Sequence, residues 1–353
     1  MDGTIAGWVE QIRQAGAEGA ALEIRGGGSK RFYGQAPQGK LLDTRGYSGV
    51  VAYEPTELVI TARSGTPLDE LEAVLAEKGQ FLAFEPPHFG AATIGGSVAA
   101  GLSGPRRQAV GAARDFLLGV QVIDGRGELL TFGGQVMKNV AGYDVARLMC
   151  GSLGTLAVLA EVSLKVLPQP VGEASLRFEM DQATALRRLN EWGGQPLPIS
   201  ASFWCQGVLT VRLSGARAAV EAASSRLGGE ILEGGEGGAL WLAVREQQHP
   251  FFAGETPLWR LSLPSDAPVL ALAGEAAVEW GGAERWLRAT AAASEIRAAA
   301  SAAGGHATLF RGGDKAAGVF QPLAGPLATI HKRLKQSFDP AAVFGRGRLY
   351  PDL

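Results

Sequence analysis

The residues in this chain best suited to chemistry are Arg25-Gly26-Gly27-Gly28-Ser29-Lys30, which follow a short apolar run, Ala21-Leu22-Glu23-Ile24. Consecutive glycines lack Cβ atoms, so the backbone can turn tightly and take positive φ. Backbone N–H groups can then converge on an anion, in the nest geometry that holds phosphates. Arg25 and Lys30 add positive charge, and Ser29 adds a hydroxyl. The stretch reads either as a pyrophosphate cradle or as a plain flexible turn, because the chain holds 50 glycines. A second stretch favours the cradle. Nearly every residue from Gly90 to Gly104 is small, with Pro86-Pro87-His88 before it and Pro105-Arg106-Arg107 after it. Small residues let backbone lie flat against a planar ligand and its phosphates. Gly151-Ser152-Leu153-Gly154-Thr155 makes a third such loop, and the three together predict one extended cofactor wrapped by several segments. Gly34–Leu41 comes near a phosphate-binding P-loop, but Leu41 stands where Ser or Thr must hold Mg²⁺. An ATPase is therefore disfavoured.

Composition narrows the class. The chain has 353 residues, enough for two domains with a substantial core. Hydrophobic residues make up 46%, the net charge is −2 and the mean hydropathy is +0.07, an ordinary globular balance. The basic surplus typical of nucleic-acid binders is missing. Met1–Glu10 carries no signal-peptide pattern, and no apolar run reaches the roughly 18 residues of a membrane span. Two cysteines, Cys150 and Cys205, give neither a disulfide framework nor metal spacing, which predicts a reducing cytoplasm.

The elements that must position these loops follow from periodicity. Ile5, Trp8, Val9 and Ile12 predict a packing helix within Met1–Ala20, and Leu68, Leu71, Val74 and Leu75 predict another after Thr66-Pro67. Strands are expected at Ala21–Ile24, Leu41–Asp43, Val50–Tyr53, Glu57–Ala62, Phe81–Phe84, Asp115–Ile123, Leu129–Phe132 and Leu156–Leu167. They do not alternate regularly with helices, and no Gly-x-Gly-x-x-Gly opens a helix, so a Rossmann domain is disfavoured and an α+β domain favoured. Pro168-Gln169-Pro170 predicts a domain boundary. Beyond it, strands and helices predict a ferredoxin-like α+β cap, with Leu240–Val244 as a strand, Gly234–Gly238 as a flexible loop, and a basic helix over Leu323–Phe338. A solvated face is the default for His331, Lys332, Arg333 and Lys335, and a partner-binding face is the alternative. For Trp259, Trp280 and Trp286, core or interface packing is favoured over a pocket lining.

The motifs resemble those of FAD-binding oxidoreductases of the vanillyl-alcohol oxidase (PCMH) type, and among these the smaller FAD-binding subunits of bacterial glycolate oxidases. The matching stretches are Arg25–Ser29, Glu85-Pro86-Pro87-His88, Thr93–Gly96, Gly104–Arg107, Arg114-Asp115-Phe116, Phe132–Asp144, Gly151–Leu156, Phe310–Asp314 and the closing Gly347-Arg348-Leu349-Tyr350. The resemblance implies a PCMH-type FAD-binding domain of two subdomains over 1–168, a smaller cap over 169–338, and a tail over 339–353 that returns to the flavin domain. By the same resemblance, Arg25, Gly26, Gly27, Gly28, Ser29 and Lys30 hold the FAD pyrophosphate. Thr93, Ile94, Gly95, Gly96 and Ser97, with Gly101 beyond them, run along the pyrophosphate and ribityl chain. Gly154 to Val158 meet the adenine end. Gly104, Pro105, Arg106 and Asp115 complete the cofactor set, and Pro87 and His88 approach the flavin, with a hydrogen-bonded loop histidine as the alternative for His88. Some relatives attach FAD through a histidine in the first loop. Ser29 and Lys30 stand there instead, which implies non-covalent FAD.

Oxidising a 2-hydroxy acid needs a cation for the carboxylate, a base for the hydroxyl proton, and hydride transfer to the flavin. The four histidines, His88, His249, His306 and His331, form no pair at metal-ligand spacing. Related D-lactate dehydrogenases carry His-x-Gly-Asp-Gly-Asn-x-His in the cap. The comparable segment here, Gly305–Asp314, keeps only His306. The resemblance thus implies a subunit with no catalytic residues of its own. It would work beside a larger FAD-binding catalytic subunit and an iron–sulfur subunit of a complex that takes glycolate to glyoxylate. Its FAD would be structural or an electron-transfer station. It would be cytoplasmic and would meet the inner face of the cell membrane only through the complex. Two rivals are a self-sufficient 2-hydroxy-acid dehydrogenase using His88 or His306 with Arg311, and a scaffold that has lost FAD.

Overall fold

The computed structural model describes residues 2–134 and 144–353. Gln135–Tyr143, part of one signature stretch, lies outside the described residues. The first half opens with α1 (Gly3–Glu18), capped by the Asp2 carboxylate on the Thr4 N–H and closed by Gly19 in the left-handed region. Its buried stripe of Ile5, Trp8, Val9 and Ile12 follows the predicted period. Strands β1 (Leu22–Arg25) and β2 (Lys40–Asp43) pair in parallel beneath it. Then come β3 (Val50–Glu54), β4 (Val59–Arg63), α2 (Leu68–Ala76), β5 (Gln80–Phe81), α3 (Ile94–Ala100), α4 (Arg107–Val110), α5 (Ala113–Phe116), β6 (Leu117–Ile123), β7 (Leu129–Gly133), α6 (Val145–Met149), β8 (Val158–Lys165) and β9 (Leu167–Pro168). Five of these strands form an antiparallel sheet in the order β3-β4-β8-β6-β7. The first half is therefore two packed units, one around α1, β1 and β2 and one around the five-stranded sheet, each with its own buried cluster.

The second half holds β10 (Gly172–Glu179), α7 (Gln182–Gly193), β11 (Ile199–Cys205), β12 (Val208–Gly215), α8 (Arg217–Leu227), β13 (Glu230–Ile231), α9 (Glu236–Arg245), β14 (Leu258–Ser262), β15 (Glu275–Glu279), β16 (Glu284–Arg288), α10 (Ala293–Ala302), β17 (His306–Arg311) and α11 (Gly325–Phe338). The strand order is β13-β10-β12-β11-β15-β16-β14-β17. Its first four strands, with α7 and α8, make the β-α-β-β-α-β ferredoxin-like unit. Four more strands extend the sheet beyond the size expected. One face packs on α7, α8 and α10, and the other faces the first half.

Three local expectations need correction. Leu240–Val244 is helical, within α9, and not a strand; Trp241 and Val244, one turn apart, are buried while Leu242 is exposed. Gly237 and Gly238 lie in the first turns of that helix and not in a loop. Lys335 is buried, not on a solvated face: its Nζ donates to Thr155 O (2.8 Å), Asp339 Oδ2 (2.6 Å) and Phe344 O (2.6 Å). Among the described residues, no helix is long and apolar enough to cross a membrane.

The halves are joined by an ion cluster. The Arg106 backbone N–H and Nε donate to the two Glu85 oxygens, while Arg212 Nη2 lies 2.8 Å from Glu85 Oε1 and Arg106 Nη2 lies 2.6 Å from Glu173 Oε1. Both arginines are buried. Glu85→Gln leaves them short of negative charge and is expected to destabilise the fold by about 2–3 kcal/mol in urea unfolding. A change below about 0.5 kcal/mol would mean that water already screens the cluster.

Candidate functional site

The three glycine loops converge. Glu23–Arg31, Thr93, Gly96, Ala99, Ala100, Leu153 and Gly154 line a cleft of about 740 Å³. The local sequence explains the meeting. Gly26 and Gly27 have no room for a side chain, since a Cβ would lie 2.2 Å from Thr93 Oγ1 and 1.5 Å from the Ala91 carbonyl oxygen. Gly28 takes φ +75° and turns the chain away. The second loop is not all loop. Thr93 N-caps α3 with its hydroxyl on the Gly96 N–H, and Gly101 at φ 64° ends the helix. The start of α3 therefore lies against the first glycine loop.

Behind this cleft is a smaller inner recess, lined by Ile24, Thr44, Ser64, Gly95, Ala157 and Leu159 among others. Ser64 Oγ is buried there without a hydrogen-bond partner, and Ser97 Oγ is equally buried and unpartnered on α3. An orphaned hydroxyl in an otherwise apolar recess suits a planar ring that offers hydrogen-bonding atoms. Glycine backbone in front and that recess behind fit a dinucleotide with its pyrophosphate at the mouth.

Several predicted site residues lie in this cleft: Arg25, Gly26, Gly27, Gly28, Ser29, Lys30, Thr93, Gly96 and Gly154, with Gly95 in the inner recess. Lys30 spends its donors on the second loop. Its Nζ reaches His88 O at 3.2 Å and Ser29 Oγ at 3.3 Å, and burial pushes its ammonium down to about 8. Ile94 and Ser97 are buried in and beside α3. Others are used elsewhere. Arg106 belongs to the ion cluster, Asp115 Oδ2 accepts from the Ala112 N–H at 2.8 Å, and Val158 pairs with Ile123 inside the sheet. His88 places Nδ1 2.9 Å from Asp69 and Nε2 3.2 Å from Glu72, and the Glu72 carboxylate raises its pKa against the effect of burial.

The sequence did not single out Arg31, Pro37, Gln38, Gly345 or Arg348 as cleft residues. The tail supplies two of them. The Leu22 N–H donates to Val343 O at 2.8 Å, the Gln35 N–H donates to Arg348 O at 3.0 Å, and Phe344 bridges to Leu22. The terminal Gly-Arg-Leu-Tyr motif was the available signal, but it named no partner.

A second, narrow cavity lies between the halves. Pro87, Phe89 and Leu102–Pro105 form one wall, and Arg260, Glu279, Glu284, Trp286 and Phe310 of the large sheet form the other. Gly104 and Pro105 are thus here and not at the cradle, and Trp286, packed in the core as expected, also lines this cavity. Burial pushes the Glu284 carboxyl up to about 7, opposed by Arg260 and Arg107; burial and then Glu284 raise Glu279 well above the usual carboxylate range. The folded chain therefore holds a proton that the unfolded chain releases above about 4.5. Stability must fall as pH rises from about 4.5 to about 7. Glu284→Gln is expected to flatten that slope by roughly 1–3 kcal/mol across the window, read from urea midpoints at several pH values. Parallel pH curves for the two proteins would refute this.

Comparison with known proteins agrees with this geometry. A family model described as "FAD binding domain" matches residues 4–133. The chain is 51% identical over 346 residues to glycolate oxidase subunit GlcE of Escherichia coli (strain K12), covering 98% of this chain and 97% of that protein. It is 32% identical over 192 residues to glycolate oxidase subunit GlcD of Bacillus subtilis (strain 168), covering 53% of this chain and 41% of that one. In fold it is similar to alkyldihydroxyacetonephosphate synthase, with a TM-score of 0.65 at 14% identity over 95% of this chain and 74% of that one. This likeness supports the PCMH-type α+β fold class. FAD is the cofactor that the domain implies. By near full-length identity, the chain belongs to the glycolate oxidase subunit GlcE family of FAD-binding proteins.

Proposed function

We propose that this chain is the FAD-binding subunit of a complex that oxidises glycolate to glyoxylate, and that its cleft holds FAD non-covalently. Two-electron redox chemistry is what FAD would supply there. The observation that carries the reading is the convergence of three glycine loops on one cleft, in a chain that matches subunit GlcE almost end to end. Arg25–Ser29 and the start of α3 would orient the pyrophosphate, Ser64 and Thr44 would meet the adenine ring in the inner recess, and Arg348 would close the mouth. The proposed division is an FAD-binding half over 1–168, a cap over 169–338 and the returning tail over 339–353. Lys335, which bonds Thr155, favours counting α11 with the first half.

The same reading gives the chain a larger FAD-binding catalytic subunit and an iron–sulfur subunit as partners. Burial pushes the Cys150 and Cys205 thiols up to about 12 and about 11, so neither offers a thiolate to a cluster. Electrons would therefore leave through a partner. A self-sufficient dehydrogenase has less support. His306 and Arg311 are the two ends of β17, about 16 Å apart along the strand. His88 is turned to the α2 carboxylates. A cytoplasmic location, at the membrane's inner face only through the complex, belongs to the same proposal.

The test is the visible spectrum of the purified chain, followed by anaerobic glycolate. Flavin bands that persist until the catalytic subunit is added are expected. Bleaching of the isolated chain would make it a dehydrogenase by itself, and a colourless chain after added FAD would overturn the cofactor assignment.

A further inference from the structure

Glu279 and Glu284 are register partners across β15 and β16, and both carboxyls are buried. Like charges directly opposite on one sheet face repel, and burial removes the water that would screen them. Their surroundings differ. Glu279 Oε1 accepts from Trp286 Nε1 at 2.7 Å, a neutral donor. Glu284 Oε1 lies 3.7 Å from Arg260 Nε, and Arg260 is itself held by the Tyr33 hydroxyl at 3.1 Å. The remaining charges toward the pair are Arg107 of α4, which favours an ionised Glu284, and Glu85, which disfavours an ionised Glu279. Arg245 of α9 lines the same cavity but is bound to Glu246 at 2.8 Å. Arg285, next in sequence, donates to the Ala267 and Pro268 carbonyls.

The cavity that this pair faces adjoins the proposed FAD cleft. Ala100 lines the cleft and Leu102 lines the cavity. Lys30 lines the cleft, and its Nζ stands 5.7 Å over the ring of Phe89, which lines the cavity. A cofactor anchored at Gly26–Ser29 with its adenine in the inner recess, beside Gly154, would have its flavin end lead toward this wall. The carboxyl pair has no role in holding pyrophosphate, and it is the acidic group left at that end.

We infer that Glu279 and Glu284 hold one proton between them and serve as the proton donor and acceptor for the flavin end of the bound cofactor. The inference rests on the FAD-binding reading above. The proton resides mainly on Glu279, and Glu284 is the carboxylate that faces Arg260. Bound FAD would supply two-electron redox chemistry there; Glu279 would give up the one proton that its two-electron reduction requires and would take it back on reoxidation, with solvent restoring the pair each time. Both residues act in proton exchange; neither abstracts hydride.

Infrared spectroscopy of the full chain tests the two halves of this separately. At pH 7 the unmodified protein should show the C=O absorption of a buried, neutral carboxylic acid, and Glu279→Gln should weaken it to the share that Glu284 alone carries. Glu284→Gln should keep it, because burial, the larger cause, still holds the Glu279 carboxyl neutral. No such band in the unmodified protein, or a band untouched by Glu279→Gln, overturns the shared proton. Photoreduction of the FAD-loaded chain should then give a reduced-minus-oxidised difference in that same band, absent in Glu279→Gln. A difference spectrum with no carboxylic-acid signal overturns the coupling to flavin. This measurement on the unmodified protein decides the coupling even if the glutamine variant fails to fold. A carboxylic-acid band in a chain that takes up no FAD would confirm the pair and refute the FAD-binding reading instead.

Discussion

Replacing Gly27 by alanine is expected to force the first two glycine loops apart and cost the chain its FAD. The new methyl group would overlap the Ala91 carbonyl, whose oxygen is 1.5 Å from the Cβ position. Backbone cannot yield as a flexible side chain would, so the loops must separate, at a cost of at least about 3 kcal/mol in stability. The cradle is made by that contact. Affinity for FAD should therefore fall about a hundredfold or more, at ~1.4 kcal/mol per factor of ten. Gly28→Ala is the control. It has the left-handed φ of +75°, but its nearest neighbour is Arg25 Cδ at 3.6 Å. It should cost only about 1–2 kcal/mol of backbone strain. FAD fluorescence titration and urea unfolding of both variants measure the difference. Equal affinities for Gly27→Ala and the unmodified chain would show that the loops need not touch to hold the cofactor.

The second large effect is expected far from the glycines. Lys335 and Asp339 are buried together, with Asp339 Oδ1 accepting from the Val343 N–H at 2.8 Å and Oδ2 from the Phe344 N–H at 2.7 Å. Lys335 in turn ties Thr155 and Phe344 to α11. Lys335→Met leaves the Asp339 charge buried without its counter-ion, and removing one partner of such a pair typically costs about 3–5 kcal/mol. Because Val343–Arg348 hang from this knot, FAD affinity should drop as well, although Lys335 lies outside the cleft. Asp339→Asn in the same background should recover part of the stability, since it removes the uncompensated charge. A double variant no more stable than Lys335→Met would mean that the lost hydrogen bonds, and not the charge, carry the effect.

Much of the site was legible because it is written in residue types that have few other uses. Three glycine loops mark where backbone must approach backbone. What stayed hidden depends on partners distant in sequence. Lys30 reads as a free cation beside glycines, yet its ammonium is taken by the His88 carbonyl. Arg106 reads as a cation free for phosphates or a neighbouring subunit, yet Glu85 and Glu173 claim it. Among the elements, α3 was missed because Gly95-Gly96 are poor helix formers; the smallness of Gly95 serves packing against Ser64. The α9 run Leu240–Val244 is too short for period to separate strand from helix. β15, with Ala276 and Ala277 at its centre, carries little strand propensity and is held by its neighbours β11 and β16.

The returning tail also sets an order of events. One wall of the cofactor cleft is made by Gly345 and Arg348, and the tail bonds back to residues as far away as Ala20. During synthesis the glycine loops leave the ribosome long before the residues that close the cleft, and domains form as their segments become complete. The cradle of a nascent chain is therefore open on that side throughout translation. FAD capture becomes a late, largely post-translational event, and a chain stalled or clipped before Val343 would reach its partners without its flavin.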